Sequence, residues 1–188
     1  MALMERELIR ERPLEGRLVR LRARDLADEP LLWKWINDPE VTQNLMARYP
    51  YSHAAETEWL KTQTAPGYGE AGLGIETLVE GRLIGNIGLH RASAEDRRAT
   101  LGIMIGEGDF RDRGYGTDAM RTLCRFGFAM MNMRRIELDV LATNPRAFHV
   151  YEKVGFQLEG TRREALWKFG RWIDIHMMGL HEGELRWD

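Results

Sequence analysis

The segment from Ala99 to Met131 constrains the fold more than any other part of the chain. Ala99, Leu101, Ile103 and Ile105 alternate with Thr100, Gly102, Met104 and Gly106, the period of a half-buried strand, and the alternation then breaks into a glycine-rich run. Behind that run, Gly116, Ala119, Met120, Leu123, Cys124, Gly127, Met130 and Met131 recur at three- and four-residue steps, which predicts an amphipathic helix with this stripe against the core. A strand that empties through glycines into a helix gathers unpaired N–H groups and the positive end of the helix dipole at one spot, where an anion is favoured. Gly114 and Gly116 allow close backbone approach, and Arg111 and Arg113 add charge. The run Gly106–Thr117 is therefore a candidate phosphate site, with an ordinary glycine-rich turn as the alternative.

The rest of the chain supplies a mixed α/β frame. Residues 17–24 set Val19, Leu21 and Ala23 on one face of a first strand. Asp25–Asn37 and the stretch from Ser52 through Trp59 and Leu60 read as two short helices. Two apolar runs, 73–79 and 83–89, flank Glu80-Gly81 as a hairpin. Ile136, Leu138 and Val140 form a further strand. Asn144-Pro145 then starts a short helix whose buried face is Ala147, Val150, Tyr151 and Val154 and which Gly155 stops. Last come strands at about 156–164 and 172–180. No repeat or linker divides the 188 residues, so one domain over 1–188 is expected, with 1–12 as an extension that is flexible or pairs at an edge.

Composition excludes several functions. Apolar residues make up 44% and charged residues 30%, enough for a sizeable core. Four Lys and 23 Arg against 29 acidic residues give a net charge of -2, with no overall pull toward nucleic acid or an anionic membrane. The most apolar stretch, 126–133, falls short of the roughly 20 residues a membrane-spanning helix needs. The first 12 residues lack a signal-type apolar run. Cys124, the sole cysteine, has no disulfide or zinc partner, and His149 shares no face with a second ligand, so no metal and a cytoplasmic setting are expected.

Two familiar phosphate loops fail. No Gly-Lys-Ser/Thr follows the glycines, which excludes a P-loop. Gly114-x-Gly116 continues to Ala119 and lies behind a hairpin instead of opening a βαβ unit, so a nucleotide-binding oxidoreductase rests only on that pair and Asp139. Arg111-x-x-Gly114-x-Gly116 followed by Asn144, Arg146-Ala147, Tyr151-Glu152-Lys153 and Gly155-Phe156 resembles the two signature regions of the GNAT superfamily of acyl-CoA-dependent N-acyltransferases. Trp33–Leu45, including Trp35 and Asn37-Asp38-Pro39-Glu40-Val41, with Pro50, Ser52 and Glu58-Trp59-Leu60, further resembles the branch that acetylates amino termini of ribosomal proteins.

That resemblance implies a mixed, mostly antiparallel sheet of six to seven strands flanked by helices, whose central strands splay to form an acyl-CoA cleft. It implies acetyl-CoA as cosubstrate, with its pyrophosphate on the backbone of Arg111, Arg113, Gly114, Tyr115, Gly116 and Thr117. Its pantetheine arm would lie beside Met104, Ile105 and Gly106 and contact Asn144, which also suits a helix cap. The implied reaction is direct attack of a neutral amine on the thioester, with backbone N–H groups of that strand polarising the carbonyl and Tyr151 giving the leaving thiolate its proton.

Many relatives carry a glutamate base where this chain has Thr100, and a hydroxyl cannot replace it. Glu76, His90, Asp139, Asp174 and His176 are the candidates on strands, with a water chain as the alternative. Cys124, within the helix stripe, reads as an inert buried thiol, so no covalent acyl-enzyme is expected. The paired arginines at 97–98, 134–135 and 162–163 read as solvated strand ends, and Trp33, Trp35 and Trp59 as packing residues near an acceptor roof. The acceptor is expected to be a protein or peptide amino terminus; alternatives are a polyamine or aminoglycoside, or a non-catalytic acyl-CoA-binding regulator. Exposed strand edges are compatible with a homodimer.

Overall fold

A computed structural model describes residues 11–63 and 65–187, and residues 1–10 of the expected extension lie outside them. Seven strands form one sheet in the order β1-β2-β3-β4-β5-β7-β6, with β1 Val19–Ala23, β2 Glu70–Thr77, β3 Leu83–Ser93, β4 Arg98–Ile105, β5 Arg135–Leu141, β6 Gln157–Lys168 and β7 Arg171–His181. Every neighbouring pair is antiparallel except β4 and β5. The helices are α1 Glu29–Asn37, α2 Pro39–Thr42, α3 His53–Thr62, α4 Tyr115–Met130 and α5 Pro145–Val154. The fold is the mostly antiparallel α/β sheet expected.

Alternation along the strands sorts side chains to two faces. On one face, Leu89, Leu101, Ile136, Leu138, Val140, Met178 and Leu180 pack against Ala119, Met120, Leu123, Cys124 and Phe128 of α4 and Val154 of α5. On the other, Leu83 and Met104 pack against Leu32 and Trp35 of α1, Val41 of α2 and Leu60 of α3.

Several details depart from the sequence reading, among them Met130, expected on the buried stripe of α4 but exposed because it is the last residue of that helix. Ala23 is exposed and Arg24 buried, because β1 ends there and the Arg24 guanidinium lies over the Trp59 ring at 4.6 Å, against side-chain-free Gly72, with a 2.9 Å bond to Gln63. A separate turn, α2, follows α1, capped by Asp38, which accepts from the Glu40 N–H at 2.8 Å. The last hairpin is longer than expected: Lys168 pairs with Arg171 across Phe169 and Gly170, both left-handed at φ 52° and 72°. Two consecutive left-handed residues make the tightest hairpin turn, and phenylalanine seldom announces one.

Candidate active site

The parallel ladder between β4 and β5 holds for only three pairs, Arg98–Arg135, Ala99–Ile136 and Thr100–Glu137. Beyond it β4 stays bound to β3 as far as Ile105, and β5 stays bound to β7 as far as Leu141. The strands therefore separate while both outer flanks remain paired, and the gap is fixed by the sheet itself. A cavity of about 540 Å³ occupies it, lined by 101–105 of β4, 139–141 of β5, the glycine loop, the start of α4 and the inner side of α5. On the α2 side its wall is Glu40, Val41, Asn44, Leu45 and Met46.

The direction of the β4 backbone groups follows from the ladder. Gly106 donates its N–H to the Ile84 carbonyl at 2.9 Å, and Met104, two residues earlier and paired with Asn86, turns the same way toward β3. Ile105 lies between them and faces its peptide groups toward the gap. Gly106 has a further structural reason to be glycine, since a Cβ there would come within 2.1 Å of the Trp35 indole. Of the three β4 residues expected to serve the cofactor arm, Met104 and Ile105 line the cavity while Gly106 packs beneath it.

The glycine loop is held before any ligand arrives. Phe110 is buried in the core, and Arg111 donates from its guanidinium to the carbonyls of Ile105 and Gly106, each at 3.3 Å. Glu107 accepts from Trp35 Nε1 at 2.8 Å, from Lys34 Nζ at 3.1 Å and from Arg82, fastening α1 to the end of β4. These hydrogen bonds hold the Glu107 carboxyl below the ordinary glutamate range, although burial alone would raise it.

Gly114 adopts φ 86° and gives α4 no side-chain cap, and the first-turn N–H groups of Tyr115, Gly116 and Thr117 have no partner among the described residues. Three other helix starts are capped: Ser52 caps α3, Asp38 caps α2, and Asn144 Oδ1 accepts from the Ala147 N–H of α5 at 3.1 Å; α1 has no side-chain cap of its own but continues from the 3-10 turn Leu26–Asp28, which Asp25 caps. An uncapped helix start opening onto a cavity is a ready anion site. A Cβ on Gly116 would meet nothing closer than Ile105 at 3.6 Å, so the protein's own packing does not require that glycine. Arg111, Gly114, Gly116, Thr117 and Asn144 line the cavity. Arg113 is exposed, bonded to the Asp109 carbonyl, and Tyr115 packs edge-on against Phe110; both side chains turn elsewhere, which leaves their main chain as what they offer.

Asp118, in the first turn of α4, would oppose an anion. Its carboxylate instead accepts from the N–H groups of Arg17, Leu18 and Val19 at 3.0, 2.8 and 3.1 Å, so its charge is satisfied on the β1 side.

Tyr151 of α5 lines the cavity opposite β4. Burial pushes its hydroxyl up to about 12, so it keeps its proton at neutral pH and can donate it. Cys124 is fully buried in α4 and does not line the cavity, and burial pushes its thiol far above the usual range.

Of the candidate bases only Asp139 reaches the cavity, where Arg162 holds it at 2.5 Å. Glu76 is engaged by Arg20 and Arg22, His90 by Glu70 at 2.6 Å, His176 by Thr161 at 2.8 Å, and Asp174 accepts from the Glu164 N–H. Of the paired arginines, Arg98, Arg135 and Arg162 enter ion pairs with Glu137, Glu159 and Asp139, and Arg97 donates to Asn132. Sequence reasoning missed Glu107, Asp118 and Lys168, whose partners lie far away in the chain.

The chain is similar to known proteins in sequence and in fold. The family model for the acetyltransferase (GNAT) domain matches residues 18–157. An "Uncharacterized N-acetyltransferase p20" of Bacillus licheniformis is 27% identical over 168 residues, covering 87% of this chain and 93% of its own. A "Putative ribosomal N-acetyltransferase YdaF" of Bacillus subtilis (strain 168) is 28% identical over 159 residues, 85% of this chain and 82% of that protein. The crystal structure of spermidine N-acetyltransferase from Vibrio cholerae, in complex with CoA and spermine, superposes with a TM-score of 0.80 at 25% identity, over 88% of this chain and 96% of that one. Among the described residues no helix is long and apolar enough to cross a membrane.

Proposed function

The chain belongs to the GNAT acetyltransferase family, and on that premise we propose that it transfers acetyl from acetyl-CoA directly to a primary amine, with a protein or peptide amino terminus as acceptor. The observation that carries the reading is the β4–β5 gap opening onto the uncapped start of α4. The residues present fit the cosubstrate. The N–H groups of Tyr115, Gly116 and Thr117 would hold its diphosphate, and Asn144, whose Oδ1 is committed to the cap, has its amide nitrogen left for the cofactor arm. Acetyl-CoA supplies an activated acyl carbonyl. The Ile105 N–H, on the gap side of β4, would polarise that carbonyl, its own carbonyl being held by Arg111, and Tyr151 holds the proton for the leaving sulfur.

The acceptor side favours one ammonium over a chain of them. The carboxylates lining the cavity are Glu40, Asp112 and Asp139; Asp112 is already paired with Arg146 and Asp139 with Arg162, and Arg48 lies near Lys168, which holds the loop. A polycation needs carboxylates spaced along its length, whereas an amino terminus presents one charge. A polyamine acceptor is the second reading, supported by the resemblance to the spermidine enzyme of Vibrio cholerae. Thiol release from acetyl-CoA over Ala- and Ser-initiated peptides, spermidine and an aminoglycoside tests both. Turnover of a peptide above spermidine is expected. No thiol release with any acceptor of the panel, beside a melting temperature raised by coenzyme A, would leave an acyl-CoA-binding regulator.

A further inference from the structure

Residues 43–52, between α2 and α3, contain no regular helix or strand, and Met46 and Tyr49 are exposed, yet Asn44, Leu45 and Met46 form the α2-side wall of the cavity. Ordering such a loop costs about 1–2 kcal/mol per residue in backbone entropy, so something must hold it. Its far end is fixed at Tyr51, whose N–H donates to Asn37 Oδ1 at 2.9 Å and whose carbonyl accepts from Trp33 Nε1 at 2.7 Å. Its near end is fixed from across the sheet. Lys168 Nζ donates to the carbonyls of Thr42 and Leu45 at 2.7 Å each and of Ala47 at 3.0 Å, at sequence separations of 126, 123 and 121 residues.

Three converging carbonyls match the three donors of an ammonium, which radiate from one atom; the planar fork of a guanidinium cannot meet them together. The chain uses 23 arginines and only four lysines, so a lysine at this position stands against its general preference. Lys168 is itself held rigidly, as the last residue of β6, paired with Arg171 across the two-residue turn. Burial and the neighbouring Arg48 both lower its affinity for a proton, and the carbonyls offset that cost.

Resting on the proposed acetyl transfer, we infer that Lys168 is a positioning residue for the acceptor: it ties the last hairpin to the loop that walls the acceptor end, and leaves the acetyl-CoA end untouched. Lys168→Met removes the ammonium and keeps the apolar stem. It is expected to raise the acceptor KM about 10-fold or more with the acetyl-CoA KM within about two-fold, since small misplacement of a positioning wall is felt strongly. It is also expected to speed tryptic cleavage after Arg48, followed by mass spectrometry, by about 10-fold through local loosening of the loop. Lys168→Arg, which keeps the charge and loses the geometry, should show the same split in smaller measure, and it stands in if the Met variant does not fold.

Cleavage after Arg48 reads the loop without any acceptor, and coenzyme A titration reads the donor site without the loop. A wild type that fails to bind coenzyme A overturns the enzymatic reading alone. Unchanged cleavage in both variants, or acceptor and acetyl-CoA KM rising together, overturns the role of Lys168.

Discussion

The two ends of the cavity are built in different ways. The end proposed for the cofactor is main chain: a strand freed from its neighbour after Thr100, a left-handed glycine and an uncapped helix turn, held by Phe110 and Arg111. The end proposed for the acceptor is walled by a loop without regular structure, held at Tyr51 and by a lysine more than 120 residues away. Regular backbone can serve many chains that share a donor, whereas a loop tied only at its ends can be exchanged for another, and acceptor choice can change with it.

Tyr151 lines the same cavity and is the proposed proton donor, so its removal should separate chemistry from both bindings. Tyr151→Phe is expected to lower kcat by about 10²–10⁴-fold with coenzyme A affinity and acceptor KM within about two-fold, the signature of a proton donor. Its pH dependence has a definite sign. The protonated form is the active one, and burial moves its ionisation up, to about 12. The rate should therefore rise as the acceptor amine loses its proton and then stay level through about pH 10, the ordinary tyrosine value. A wild-type profile that falls by pH 9–10 would remove Tyr151 from the role, as would unchanged turnover in the Phe variant.

The next largest effect should be confined to the cofactor end. Gly116→Ala adds a methyl group that the protein accommodates, the nearest atom being 3.6 Å away, on the surface where the diphosphate would rest. Its melting temperature should match or exceed that of the wild type, because alanine is the better helix former by up to about 1 kcal/mol. Its coenzyme A affinity should fall about 10-fold, with acceptor KM little changed, because glycine is what allows the close approach. Unaltered affinity would mean that the diphosphate does not lie on this turn.

What could be read from the sequence follows the same division. The strand–glycine–helix segment, the first hairpin and the Asn144-Pro145 start were readable because each is a local pattern of period, turn and cap. Gly106 and Gly116 look alike in sequence, and only coordinates separate a glycine kept for the Trp35 ring from one the packing does not need. Glu107, Asp118 and Lys168 were unreadable, because a charged residue that bonds to groups 70 to 126 positions away looks like any solvated charge. That Arg24 is buried and Ala23 exposed was unreadable for the same reason: the Trp59 ring and Gly72 that bury Arg24 come from other elements.

Asn144 belongs to both descriptions, and two substitutions divide its roles. Asn144→Ala removes the acceptor for the Ala147 N–H and should cost about 1 kcal/mol, near 2–4 °C in melting temperature for a chain of this size, with weaker coenzyme A binding besides. Asn144→Asp keeps the capping oxygen, so its melting temperature should stay close to that of the wild type. It loses the amide donor and sets a negative charge near the start of α4, where the diphosphate would lie, so its acetyl-CoA KM should rise about five-fold, on the order of one kcal/mol. An Asp variant that melts and binds like the wild type would assign Asn144 wholly to the helix. The cofactor end would then rest on the amides of α4 and β4 alone, which is the stricter form of the contrast between a donor site made of backbone and an acceptor site made of a tied loop.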